Sequence, residues 1–201
     1  MIKKIVLLVI SIITCFSVNA VHVVNSPLNK NVLIIMDGKY DLTQPATAEA
    51  LQLYNLMGHF QTTVTIKGSQ EYYQNDIKRY DIVFIIGFKS DLVLPAILIN
   101  DILKTDKTIV WINTGLNSKE YKEEFIKKYG FGIVQLDKSG SFNSVKSGNK
   151  KFTRGVSDIF NVQVFDKFKV KVLATAHSDK LRKETPYIIQ FGNLYYVADM
   201  P

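Results

Sequence analysis

The 201-residue chain carries 25 Lys and Arg against 18 Asp and Glu, a formal charge of +7, and its single cysteine is Cys15. Beyond that N-terminal cysteine the sequence has no thiol, which excludes disulfides, a thiol nucleophile and thiolate metal sites from the body of the protein. The basic residues are spread along the chain, with small clusters at Lys127-Lys128 and Lys150-Lys151. They form no basic stripe interleaved with aromatics, so a nucleic-acid partner is not expected. A solvated basic surface, or weak attraction to anionic envelope polymers, accounts for the excess.

Residues 1–20 read as a leader. Lys3 and Lys4 give a positive start, Ile5 to Val18 form an apolar run, and Val18-Asn19-Ala20 offers a cleavage site. The run is about fourteen residues, short of the roughly twenty needed to span a bilayer. An uncleaved anchor is the alternative, and a lipoprotein reading at Cys15 is disfavoured by Thr14 before it. The expectation is export to the periplasm or the extracellular space, with no stable membrane span once the leader is removed.

Residues 21–30, containing Pro27, read as a linker, and 31–201 as one α/β domain. Val32 to Met36 is a continuous apolar run ended by Asp37-Gly38, the pattern of a strand buried on both faces. Ala46 to His59 follows with helical spacing, Pro45 suiting its first turn and Gly58 its end, and with Ala50, Leu51, Tyr54, Leu56 and Met57 as its apolar face. Phe60 to Ile66 alternates as a second strand, and Tyr80 to Gly87 is a third, again of the buried type. Pro95 to Leu103 predicts a short helix and Thr108 to Asn113 a fourth strand. Asn117 and Glu120 have capping-box spacing for a helix through Lys128, ended by Gly130. Strands and helices alternating at these lengths give a βαβ core over 31–130, a parallel sheet flanked by helices.

From residue 131 to 201 the pattern turns mainly β. Ser139 to Gly148 reads as a loop or hairpin, followed by strands at Val162 to Phe165, Phe168 to Ala176, Tyr187 to Phe191 and Leu194 to Ala198. Gly192-Asn193 is a two-residue hairpin signal. These strands are expected to be antiparallel and to extend or flank the sheet. The sequence stops at Pro201 directly after a strand, which suggests a shortened product or a domain ordinarily followed by more protein.

Ligands of open α/β sheets sit outside the carboxyl ends of the parallel strands. That rule selects Asp37, Gly38, Gly87 and Asn113 as candidate ligand-binding residues, with the alternative that Asp37 and Gly38 only make a turn. The segment from Asp37 to Pro45 lacks the small-residue nest that cradles phosphate, and Gly130-Phe131-Gly132 lacks a dinucleotide fingerprint. No cofactor is expected. His22, His59 and His177 show no metal-ligand spacing and no nucleophile-elbow serine, so neither a metal site nor a catalytic set is assigned. Trp111 and Tyr195-Tyr196 read as core.

Asp37-Gly38, Asn55 to Phe60, Tyr80 to Gly87, Thr105 to Asn113, Lys171 to Ala176 and Asn193 to Pro201 together resemble an uncharacterised bacterial family, a domain of unknown function in exported proteins related to polysaccharide deacetylases. The resemblance implies a flavodoxin-like or amidotransferase-like α/β domain, followed in full-length members by a deacetylase-like barrel that carries the chemistry. Its catalytic aspartate and paired histidines have no counterpart here, nor does an amidotransferase-like cysteine. Two readings follow: a non-catalytic or accessory module that meets envelope carbohydrate or a deacetylase-like domain, and an envelope hydrolase, a carbohydrate deacetylase or esterase, using Asp37 with Asn113 or His177. Export itself is directly testable. N-terminal sequencing of the protein from its native host should begin at Val21, and intact Met1 in the cytoplasmic fraction would refute it.

Overall fold

The computed structural model describes residues 29–87, 93–113, 115–116, 118–155 and 158–199. The leader, most of the linker, Asn117 and Pro201 lie outside the described residues. Eleven strands are described: β1 (Lys30–Met36), β2 (Thr62–Gly68), β3 (Ile82–Gly87), β4 (Thr108–Asn113), β5 (Phe131–Asp137), β6 (Ser144–Ser147), β7 (Lys150–Thr153), β8 (Ile159–Val164), β9 (Lys171–Ser178), β10 (Lys183–Phe191) and β11 (Leu194–Val197). The helices are α1 (Pro45–Met57), α2 (Ala96–Lys104) and α3 (Lys122–Tyr129).

Nine strands form one sheet in the order β2-β1-β3-β4-β11-β10-β9-β6-β7, and β5 pairs with β8 in a separate ribbon. The three apolar runs β1, β3 and β4 are adjacent and parallel. Their side chains are nearly all buried, because helices cover both faces of this part of the sheet. Ile35, Ile85, Trp111 and Tyr196 stand side by side in register and so share a face. On that face Trp111 meets Phe125 of α3 edge-on at 5.4 Å. Met36, Ile86, Ile112 and Val197 point the other way, where the Thr47 hydroxyl of α1 reaches Met36 Sδ at 3.4 Å.

Helix α1 presents a different stripe from the expected one. Ala46, Thr47, Ala50, Leu53 and Met57 are buried, whereas Tyr54 is exposed. Small side chains let the helix lie close to the sheet, and the larger Tyr54 is left on the solvent side. For α3, the Asn117 end of the expected capping box lies outside the described residues. That helix starts at Lys122, after Tyr121, and Glu120 accepts a bond from the Ser118 hydroxyl. Its end is as expected: Gly130 caps it at φ 69°, a conformation that favours glycine.

The C-terminal strands split between the two expected roles. β10, β9, β6 and β7 extend the sheet antiparallel, and β8 flanks it with β5, a strand missed in the sequence reading. β11 differs, because it pairs parallel to β4. The Gly192-Asn193 hairpin delivers it there: the Asn193 side-chain amide donates to the carbonyls of Thr105 (3.1 Å) and Lys107 (2.6 Å), and the Asn193 backbone carbonyl accepts from Ile109 N–H (2.9 Å). Pro186 in β10 is accommodated by register shifts on either side of Ile188.

Ile85, fully buried in the middle of the parallel set, tests this core. Ile85→Asp would place an unpaired charge there, at a cost of several kcal/mol, comparable to the whole stability of a domain. The variant should be insoluble or lack a cooperative thermal transition by circular dichroism.

Candidate functional site

In the order β2-β1-β3-β4 the chain crosses from β1 outward to β2 and then back past β1 to β3. The crevice of such a sheet lies where the crossovers diverge, beyond the carboxyl ends of β1 and β3. The candidate residues Asp37, Gly38, Gly87 and Asn113 all fall on that edge. Asp37 follows β1, and its N–H donates to the Ile86 carbonyl of β3 at 3.1 Å. Gly87 closes β3 and pairs in register with Asn113 at the end of β4. Asn113 takes φ 72°, a left-handed conformation that Asn tolerates better than most residues, and its carbonyl accepts the Tyr196 hydroxyl at 2.9 Å.

The turn after β1 is held against the end of β2. Gly38 N–H donates to Ser69 Oγ (3.2 Å), and its carbonyl accepts from Gln70 N–H (3.3 Å). The approach is so close that a Cβ on Gly68 would fall 2.4 Å from the Gly38 carbonyl oxygen. Asp37 and Gly38 therefore do make a turn, and the turn fixes the Asp37 backbone at the crevice.

Three further residues meet at this edge that the sequence reading did not select. Asp199 follows β11 as Asp37 follows β1. Arg154, 8% exposed, donates from Nε (3.0 Å) and Nη2 (2.5 Å) to Asp199 Oδ2. The same guanidinium donates to the carbonyls of Phe142 (3.0 Å) and Asp158 (2.7 Å). Glu49 of α1 approaches from the other side, with Oε2 buried and without a hydrogen-bond partner. Burial, reinforced by the negative charge of Asp199, pushes its carboxyl up to about 7. Burial, with the same charge adding to it, also raises the Tyr187 and Tyr196 hydroxyls, keeping both neutral. The edge thus carries an arginine-paired carboxylate beside a carboxyl group that exchanges its proton near neutrality. Such a pair can accept hydroxyl hydrogen bonds or act as acid and base.

Asp199 could have been found by applying the strand-end rule to Leu194–Ala198, had that strand been read as parallel. Glu49 carried a weaker signal, a lone carboxylate among the small residues Ala46, Thr47 and Ala50. Arg154 sits in a loop that no pattern marks. His177 does not join this site. It lies within β9, not after a strand, five strand positions from β1, about 24 Å at the usual spacing. Among the described residues no group of three or more His, Cys, Asp or Glu could hold a metal ion, and no helix is long and apolar enough to cross a membrane.

No protein-family model and no curated protein matches the chain. Solved structures do. A ThuA-like protein from Bacteroides uniformis superposes with a TM-score of 0.66 at 12% identity, over 89% of this chain and 86% of that one. The carbohydrate deacetylase Agd3 gives 0.52 at 13% identity, over 86% of this chain but only 29% of its own. A glutamine amidotransferase from Thermotoga maritima gives 0.48 at 13% identity, over 84% and 74%. The protein has a ThuA-like, flavodoxin-like fold.

Glu49 gives the site a measurable pH signature. A carboxyl raised in the folded state binds its proton more tightly there than in the unfolded chain. Its stabilising contribution is therefore full in acid and is lost as the pH rises from about 4.5 through about 7. Glu49→Gln, neutral and of the same shape, should match the wild type at pH 4.5 and be more stable above pH 7. The expected gain is on the order of 1–3 kcal/mol, read from paired denaturant or thermal melts across that range.

Proposed function

We propose that the chain is the accessory, carbohydrate-facing α/β module of an exported cell-envelope protein related to polysaccharide deacetylases, and that its ligand lies across the carboxyl edge of the sheet. The observation that carries this reading is the convergence there of Asp37, Glu49 and Asp199 beside the backbone turns at Gly38 and Asn113. Carboxylates at a crevice are acceptors that a polyhydroxylated ligand engages with directed bonds. The leader sequence supports an envelope setting. The likeness of 86% of this chain to part of a carbohydrate deacetylase supports a sugar over other ligands. An accessory role is supported by the sequence, which places no amidotransferase-like thiol in the α/β domain.

The second reading is an envelope hydrolase at the same edge. It is favoured by the placement of Glu49, whose carboxyl is pushed up to about 7 by burial and the Asp199 charge, a range suited to proton transfer.

Calorimetric titration with acetylated and deacetylated chito-oligosaccharides separates these readings. Above pH 7, where Glu49 is ionised, binding should weaken at least about tenfold in Glu49→Gln or Asp37→Asn, the size expected for losing one charged hydrogen bond. Metal-stimulated acetate release should stay at the level of a denatured control with added zinc, cobalt or manganese. Binding to none of these sugars, or binding indifferent to both substitutions, would overturn the proposal. Turnover abolished by Asp37→Ala would put the hydrolase first.

A further inference from the structure

A different cluster occupies the antiparallel half of the sheet. Ser144 of β6 stands directly opposite His177 of β9, and His177 stands directly opposite Glu184 of β10. Residues paired across antiparallel strands project from the same face with Cβ atoms about 5 Å apart. The three side chains therefore form a line across three neighbouring strands. At one end of the line His177 Nδ1 lies 3.6 Å from Glu184 Oε2. At the other, His177 Nε2 and Ser144 Oγ are both buried and neither has a hydrogen-bond partner.

As the structure stands the two atoms do not bond to each other, and buried, unpartnered polar atoms on facing residues are costly unless a side-chain rotation or a ligand supplies the partner. Their chemistry is complementary. A neutral imidazole that directs its Nδ1–H toward the Glu184 carboxylate presents a bare lone pair at Nε2. The only hydrogen of the Ser144 side chain able to donate is on Oγ. We propose that Ser144, His177 and Glu184 are a nucleophile, its general base and the carboxylate that orients the base, and that this site accepts small acyl esters. The inference shares no residue with the carbohydrate reading, although β9 stands two positions from β11 in the sheet, and its test reads the Ser144 hydroxyl directly.

The reaction runs in two halves. In the first, Ser144 Oγ bonds to the ester carbonyl carbon as its proton passes to His177 Nε2. The bond from that carbon to the alcohol oxygen then breaks, and the departing alcohol takes the proton from Nε2. In the second, water bonds to the acyl carbon and gives a proton to Nε2, and Ser144 leaves with it, releasing the carboxylic acid. Glu184 keeps its charge throughout and stabilises the imidazolium in each half. Ser144 is 4% exposed, so side-chain motion has to open its Oγ, which restricts the site to small acyl groups.

The test uses the full chain and a small fluorophosphonate, with the adduct counted by intact mass and located by peptide mapping. One adduct on Ser144 is expected. Ser144→Ala, which removes only a buried hydroxyl and should fold, must abolish it. His177→Gln should slow labelling about 100-fold. Glu184→Gln should slow it by a smaller factor. Added imidazole should restore part of the labelling in His177→Gln, which a purely structural histidine would not produce. Failure of the folded wild type to label, labelling that survives Ser144→Ala, or labelling as fast in His177→Gln as in the wild type would each overturn the proposal.

Discussion

The guanidinium of Arg154 is the contact on which the relation between the two halves of the sheet depends. A buried cation must find acceptors, and this one finds them on three separate stretches: the Phe142 carbonyl before β6, the Asp158 carbonyl before β8 and the Asp199 carboxylate after β11. Replacing either charged partner would leave the other buried and uncompensated, a loss of about 3–5 kcal/mol. The cost of holding Asp199 ionised in a partly buried place is thereby met locally. Burial raises the neighbouring Glu49, Tyr187 and Tyr196, and the field of that ionised group adds to the effect. One ion pair therefore ties the loops before β6 and β8 to the end of β11 and contributes to the proton chemistry of the crevice.

A second buried carboxylate performs the equivalent task at the other edge. Asp76, 1% exposed, lies in the crossover from β2 to β3 and pairs with Lys67 at 2.7 Å and with Arg79. Burial pushes its carboxyl up, but the hydrogen bonds from Lys67 and the Tyr73 N–H, with both cations, hold it below the ordinary range. The contrast with Glu49 is instructive. Both carboxyls are desolvated, yet the one with cations and donors around it stays charged, while the one beside another anion is protonated near neutral pH.

The parallel core was legible because strands buried on both faces leave uninterrupted apolar runs, as in Val32–Met36, Ile82–Ile86 and Ile109–Ile112. The strand-end rule then placed Asp37, Gly87 and Asn113 on one edge without further information. The rest was hidden for identifiable reasons. The direction of β11 is set by β4, whose Asn113 carbonyl bonds Tyr196 across a separation of 83 residues, so no local pattern could mark Asp199 as a strand-end carboxylate. β5 was obscured because Gly132 and the exposed Val134 break the apolar alternation, and its partner β8 lies beyond a hairpin. Glu49 looked like an ordinary surface residue of an amphipathic helix because the buried face of α1 is built from small side chains.

The placement of β11 between β4 and β10 has a consequence for how the sheet is assembled. β2, β1, β3 and β4 can pair as soon as their own segment has been made, but β4 then presents an open row of backbone groups. Only a hairpin formed much later in the chain closes it. Loop-closure entropy has to be met before that contact yields any stabilisation, so the joining of the two halves should be the slow event in folding. Until it occurs the edge of β4 is a template for foreign strands. The two amide hydrogen bonds from Asn193 to the carbonyls of Thr105 and Lys107 act as a latch at the entrance to that gap, aligning β11 before it zips along β4.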